Sequence, residues 1–199
     1  MTDRRITDPE VRLLAGLATT LEPDYVQDTA SWEGSPFKWI KTSLPSRTVG
    51  AVGEALVAGW SAAKGFDVTK TGDSDADRII NGHRVEIKFS TLWKSGGYKF
   101  QQKRDQRYDY CFCLGVSPFD AHAWLIPKSV LLERVIGHMG QHTGSDGADT
   151  AWLGFPASEP YSWMKGHGGR LSDVAALIEA AGRGPHKRED KPKKPRKTT

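Results

Sequence analysis

The sequence predicts a mixed α/β fold, in which a mixed β-sheet forms the core and helices flank it. Three observations lead to this fold class. Two segments with helical spacing of apolar residues come first, five short β-rich segments follow, and further helical segments close the chain. This order, without an internal repeat, is typical of a sheet covered by helices. A length of 199 residues suits one main domain.

Four segments are predicted to be helical. Residues 8–21 have an acidic start, a proline in the first turn and apolar residues at helical spacing. Residues 46–63 are rich in alanine and end before Gly65, where glycine can adopt a left-handed cap. A short helix is expected to open at Pro127, and the last covers residues 171–181. The stretch 22–46 lacks periodicity and is expected to be a long connection packed by aromatic residues.

Five short strands are expected from β-rich runs bounded by turn residues. Three follow the second helix, in the runs FDVTKTG, DADRII and HRVEIKFS, and the dipeptide Asn81-Gly82 between the last two predicts a two-residue hairpin. Two more cover residues 110–116 and 121–126. Residues 91–98 and 138–150 are predicted loops, and residues 99–108 a polar connector.

The basic charge is concentrated at the C-terminus. The chain has a formal net charge of +4, yet residues 183–199 alone contain eight Lys or Arg against two acids. Such a Pro- and Lys-rich segment is predicted to be a disordered tail, which either attracts nucleic-acid phosphates or merely keeps the protein soluble. We therefore divide the chain into an N-terminal segment 1–46 packed on the core, a core 47–182 and a tail 183–199.

Composition excludes several classes of protein. No stretch approaches the roughly 18 consecutive apolar residues of a membrane helix, and the N-terminus lacks the form of a secretory signal, so a cytoplasmic protein without a membrane partner is expected. Cys111 and Cys113 lie two residues apart in a predicted strand, on one face. Reduced, buried thiols are expected there rather than a disulfide or a zinc site.

Hairpin register places two acidic side chains opposite each other. If Asn81-Gly82 forms the centre of a type I′ turn, pairing outwards from the turn sets Asp77 opposite Glu86. Side chains alternate along a strand, so Lys88 shares the face of Glu86. The opposite face is apolar and suited to a core, with Ile80, Val85, Ile87 and Phe89.

Two carboxylates facing each other predict a bound cation, because like charges opposite one another destabilise a sheet. Mg²⁺ prefers oxygen ligands and retains several waters. Asp77 and Glu86 are the candidate ligands, with the carbonyl of Ile87 as a third. A metal-bound water would attack phosphorus, and Lys88 would hold or deprotonate that water and contact the scissile phosphate. The alternative is an ordinary solvated hairpin face with a Glu–Lys pair.

The run from Asp77 to Glu86-Ile87-Lys88 resembles the motif of the PD-(D/E)xK nuclease family, which includes restriction endonucleases. The resemblance covers about residues 49–126 and departs where Ala76 replaces a common proline. It implies a restriction-endonuclease-like fold and Mg²⁺, replaceable by Mn²⁺, as cofactor. It also implies that Glu54 supports the metal site and that Gln102, with Gln101 as the alternate, reaches the active site.

By the same resemblance, the expected function is hydrolysis of DNA phosphodiester bonds by a type II restriction endonuclease acting as a homodimer. A Holliday-junction resolvase or repair nuclease would use the same site, and a DNA-binding module that does not cut is the alternative from another class. DNA contacts are expected either from the loop 91–98, with nearby Lys99, or from the loop 138–150. His138 and His142 in the latter lack a third ligand, so a surface loop is favoured over a metal pair.

Overall fold

The protein is described here by a computed structural model of residues 8–25, 29–139 and 151–185. The helices are α1 (Pro9–Tyr25), α2 (Lys38–Thr42), α3 (Ser46–Ala63), α4 (Lys128–Arg134) and α5 (Leu171–Ala181), and 3₁₀ turns cover Ala30–Trp32 and Ser162–His167. The strands are β1 (Val68–Lys70), β2 (Arg78–Ile80), β3 (His83–Thr91), β4 (Gly97–Lys103), β5 (Tyr110–Val116), β6 (Ala121–Pro127) and β7 (Ala151–Pro156). His142 and most of the basic tail lie outside the described residues.

The central sheet has the strand order β1-β2-β3-β5-β6. Strands β3 and β5 run parallel, and the other neighbours are antiparallel. The parallel pair is possible because β4 and the residues after it carry the chain back to the end of the sheet at which β3 begins. A tight hairpin cannot make this connection. The predicted mixed α/β fold, with a mixed sheet flanked by helices, is confirmed.

The Asn81-Gly82 hairpin has the predicted register. Asn81 and Gly82 have φ angles of 49° and 79°, as a type I′ turn requires. Ile80 pairs with His83 and Arg78 with Val85, so the next position outwards brings Asp77 to Glu86.

A second sheet, formed by β4 and β7, corrects the sequence prediction. Residues 97–103 were expected to be loop and connector, and no strand was predicted at 151–156. In β4 the buried Tyr98 and Phe100 alternate with Lys99 and Gln101, which is a strand pattern that the polar residues obscure. The partner strand lies about 50 residues later, so the pairing depends on contacts that no local pattern records.

Both faces of the central sheet are buried. Along β5, Phe112 and Leu114 point to the layer of α3 and α5, whereas Cys111 and Cys113 point to the second sheet. Residue Glu86, on the same face as the cysteines, is only 8% exposed. The hairpin face that carries the charged residues is therefore not the solvated face of the alternative interpretation, because β4 packs against it.

The predicted helices form at their expected places, with small differences. Helices α3 and α5 have the predicted bounds, and α1 extends to Tyr25. The connection 22–46 contains α2 and a 3₁₀ turn, and Trp32 within it is buried, as expected of an aromatic packing residue. Within the described ranges, no helix has the length and apolar character needed to cross a lipid bilayer.

Candidate active site

A cleft of about 610 Å³ opens where the start of α3 meets β3 and β4. Its lining includes residues from every element that the sequence marked as functional, namely Glu54, Asp77, Ile87, Lys88, Gln101 and Gln102. Glu86 is not part of this lining; it is 8% exposed and contacts Lys88 on β3. The structure therefore brings the other predicted site residues together in one concavity and places Glu86 next to it.

Asp77 continues the β2–β3 ladder with its side chain. Its amide donates a hydrogen bond to the carbonyl of Val85 at 3.0 Å. Its Oδ2 then accepts a hydrogen bond from the amide of Ile87 at 2.7 Å. The carboxylate thus takes the place of a backbone acceptor, which fixes one oxygen and leaves Oδ1 available to the cleft.

Residues 71–77, between β1 and β2, hold Asp77 in place through side-chain contacts. The hydroxyl of Thr71 donates to the carbonyl of Ala76 at 2.6 Å. Asp73 pairs with Arg84 and Asp75 with Arg107, each at 2.5 Å. These two ion pairs lie at the surface, whereas Ala76 in the same segment is 4% exposed and packs in the core, so both kinds of contact hold the segment.

Glu86 and Lys88 form an ion pair on the β4-facing side of β3. Lys88 Nζ lies 2.7 Å from Glu86 Oε1. Burial raises the pKa of Glu86, and the charge of Asp77 raises it further, although Lys88 opposes both effects. A cation that binds near such a carboxylate would stabilise its ionised form.

Glu54 adds a third carboxylate from α3. It lies 3.4 Å from Arg78 Nη1, on the strand that leads from Asp77 into the hairpin turn. Burial raises the pKa of Glu54, and the neighbouring charges of Asp77 and Glu86 add to this, whereas Arg78 and Lys88 oppose it. The close packing of α3 on β3 at Gly53, where a Cβ would lie 2.2 Å from Phe89 Cβ, sets this position of the helix.

A β-bulge directs both Gln101 and Gln102 towards the cleft. Phe100 pairs with Leu153 and Lys103 with Ala151, so two residues of β4 face the single residue Trp152. Gln102 has a φ of 54°, a conformation that non-glycine residues seldom adopt outside functional or strained positions. The sequence left a choice between the two glutamines, and in the structure both line the cleft.

The oxygen donors of the cleft suit a hard divalent cation better than a soft one. Asp77 and Glu86 are the two carboxylates that the sequence predicts as metal ligands. Their negative charges raise the pKa of Glu54, so the three acids are electrostatically coupled. Within the part of the chain that the structure describes, no three side chains from His, Cys, Asp and Glu form a metal-binding group. A bound Mg²⁺ would therefore need water and phosphate oxygens to complete its ligands.

A buried lysine that the sequence did not predict lies next to the ion pair of β3. Lys103 is 1% exposed, and its ammonium lies 3.4 Å from Cys111 Sγ and 3.2 Å from Cys113 Sγ. Both thiols are buried, unbridged and on one face, as predicted. Burial opposes ionisation of Cys113, but its hydrogen bond with Cys111 and the charge of Lys103 outweigh this and lower its pKa to about 6. The parallel register, Glu86 to Cys111 and Lys88 to Cys113, puts this cluster beside the ion pair.

No protein-family model and no curated protein matches the sequence. Among solved structures, the chain is similar to one described as a bacterial homing endonuclease, I-Ssp6803I. The TM-score is 0.46 and the identity 15%, over 70% of this chain and 95% of that chain. The chemical activity of the cleft is therefore inferred from its own side chains.

Proposed function

We propose that this protein is a Mg²⁺-dependent DNA endonuclease whose active site consists of Asp77, Glu86 and Lys88. The observation that carries the proposal is the meeting of these three side chains on adjacent strands of one hairpin, at a cleft with a third carboxylate. A Glu–Lys pair on a solvated face would be exposed, whereas Glu86 is buried and its pKa is raised by the charge of Asp77. The geometry supports a phosphodiester hydrolase over a surface pair.

Asp77 and Glu86 would hold the cation, with the carbonyl of Ile87 as a further ligand, and Mn²⁺ would substitute for Mg²⁺. The bound ion would lower the pKa of a coordinated water and offset the charge that develops on the phosphodiester oxygens. Asp77 is oriented by its bond to the Ile87 amide, so only its second oxygen is free to bind.

Lys88 would act on the reacting groups directly. Its ammonium is kept beside Glu86 at 2.7 Å, where it can orient the attacking water and donate to the scissile phosphate. Glu54 would contribute by keeping negative charge near Asp77, and Gln102, with Gln101 beside it, would donate from β4 to the substrate or the water. Removal of Lys88 is expected to abolish cleavage, whereas the carboxylates would still bind the cation.

Within this class we place a type II restriction endonuclease acting as a homodimer first. That choice rests on the resemblance of the Asp77 to Lys88 run to the PD-(D/E)xK motif. A junction resolvase or repair nuclease with the same site would differ in the DNA that it cuts. The basic residues of the tail favour DNA as the partner in each case.

The test is incubation of phage, plasmid and branched synthetic DNA with the full-length protein in Mg²⁺, Mn²⁺ or EDTA. We expect cleavage with either metal, none in EDTA and none with Lys88→Ala, while Lys70→Ala, which changes an exposed lysine on β1, cuts normally. Discrete bands would indicate a restriction enzyme, and selective cutting of branched DNA a resolvase. DNA that is shifted but stays intact under all conditions would contradict the proposal and indicate a binding module.

A further inference from the structure

We propose that Arg47 and Lys99, with Trp93, form a phosphate-binding rim on two sides of the cleft. The rim would hold the DNA backbone on either side of the scissile phosphate. This inference rests on the proposed function, since it names residues that bind the substrate of the same site. It also assigns DNA contact to the loop after β3, one of the two segments that the sequence left open.

Lys99 has a positive charge that no acid among the described residues neutralises. Its ammonium lies 4.5 Å from the ring centroid of Trp93 and 5.9 Å from that of Trp152. Within the described ranges it forms no ion pair. Aromatic faces attract an ammonium group and fix its position, yet they leave its charge available to an anion.

The loop that holds Trp93 is short and internally bonded. The amide of Trp93 donates to the carbonyl of Gly97, and the amide of Gly96 donates to the carbonyl of Trp93, both at 2.9 Å. The amide of Lys99 donates to Ser90 Oγ at 3.0 Å, which ties β4 to β3. The indole and the ammonium are therefore arranged before any ligand arrives, which lowers the entropic cost of binding.

Arg47 supplies the second cation from the first turn of α3. It is exposed, lines the same cleft and has no ion pair with any described residue. The other cations near the site are engaged, since Lys88 pairs with Glu86, and Arg78 with Glu54. Arg47 and Lys99 are thus the cleft cations that remain unneutralised in the described chain.

An acidic floor makes such a rim necessary for a polyanionic substrate. Glu54 and Asp77 would repel phosphates that approach the cleft, and a single bound Mg²⁺ acts on the reacting phosphate alone. Cations on α3 and on β4, the two elements that meet at the cleft, would attract the neighbouring phosphates and align the DNA backbone across the metal site. Such contacts position a nucleic acid without reading its sequence.

The experiment measures DNA affinity against KCl concentration for the full-length protein in EDTA, by fluorescence anisotropy with a labelled duplex. Each phosphate contact contributes roughly 0.9 to the slope of log affinity against log salt. Lys99→Gln and Arg47→Gln are each expected to reduce the slope by about 0.9, and the double variant by about twice that. The matched control Lys64→Gln, at the far end of α3, should change the slope far less. The basic tail contributes equally in every variant.

Trp93 is tested by a pair of variants. Trp93→Ala should weaken binding several-fold with little change in slope, because Lys99 keeps its charge but loses its fixed position. Trp93→Phe should restore most of the affinity. Thermal unfolding of each variant identifies any general loss of stability.

Unchanged slopes in both cleft variants, or the absence of DNA binding by the unmodified protein, would overturn the inference. The outcome is separable from that of the proposed function, because no metal or cleavage is needed. Reduced slopes in a protein that never cuts would support the rim and reject the nuclease. Cutting that depends on Lys88, with unchanged slopes, would support the nuclease and reject the rim.

Discussion

The side chain of Asp77 accepts a hydrogen bond from the backbone amide of Ile87 at 2.7 Å, so a proposed catalytic acid is also part of the sheet. One group therefore has a structural role and a chemical role. The two roles can be separated, because only the chemical role requires negative charge.

Asp77→Asn should preserve the fold and remove function. The amide oxygen of asparagine can still accept the Ile87 N–H, so the free energy of unfolding should change by less than about 1 kcal/mol, whereas Asp77→Ala leaves that amide unsatisfied and should cost about 1–3 kcal/mol. Both variants should lose DNA cleavage. Urea denaturation and a cleavage assay check this, and equal stability of the two variants would contradict the structural role.

The raised pKa of Glu86 makes stability depend on pH in a defined direction. Because the folded protein favours the protonated acid, the corresponding stability is present below the ordinary carboxyl pKa and is lost as pH rises through the raised value. Glu86→Gln should therefore raise the melting temperature at pH 8 in EDTA, with a difference that shrinks towards pH 4.

Mg²⁺ should reverse this order. It should stabilise the unmodified protein by about 2–3 kcal/mol at a hundred times its dissociation constant, and Glu86→Gln by much less. Glu179→Gln, which changes an exposed acid on α5, is the control and should respond as the unmodified protein does. A Glu86→Gln variant that melts below the unmodified protein at pH 8 in EDTA would contradict the prediction.

The hairpin site was predictable because its geometry is local. The Asn81-Gly82 turn fixes the register by itself, and from the register follow the positions of Asp77, Glu86 and Lys88. The second sheet was not predictable, since Phe100 meets Leu153 only after the intervening chain has folded back. For the same reason, the sequence could not predict that β4 covers Glu86, that Lys103 is buried or that β4 has a bulge at Gln102.

Gly53 allows α3 to pack closely on β3, so an added methyl group should push the helix, and Glu54 with it, away from the strand. Its Cβ would lie 2.2 Å from Phe89 Cβ, and Gly53→Ala should cost about 1–3 kcal/mol as the helix shifts. The shift would move Glu54 and reduce cleavage. Gly59→Ala in the same helix has free space around its Cβ and should stabilise by up to about 1 kcal/mol. Similar stability of the two variants in urea would refute this account of the packing.

Lys103 and Cys113 should depend on each other for stability, because replacing a buried ion pair as a whole by apolar groups is often neutral or stabilising, whereas removing one partner is costly. Lys103→Met leaves the Cys113 thiolate without its counter-ion, so it should unfold at a lower urea concentration at pH 9, with a smaller change at pH 5, where the thiol is protonated. Cys113→Ala should cost about 3–5 kcal/mol, because it leaves the ammonium buried with one weak partner.

Combining the two changes should recover most of that loss. The contribution of Cys113 ionisation is present at pH values above the ordinary thiol pKa and is lost as pH falls through about 6. The destabilisation by Cys113→Ala should therefore be smaller at pH 5 than at pH 9. A loss that is independent of pH would indicate a packing defect alone.

The dependence of one core amide on the exposed segment 71–77 has a dynamic consequence. Ile87 lies in the middle of the central sheet, yet its N–H is protected by a side chain whose anchoring segment is held in part by surface ion pairs. Transient opening of that segment would release this proton to solvent while the strands on either side stay closed. Ile87 should then exchange its amide hydrogen faster than its neighbours in β3, and faster still at high salt. Its exchange rate would report how often Asp77 moves away from Glu86.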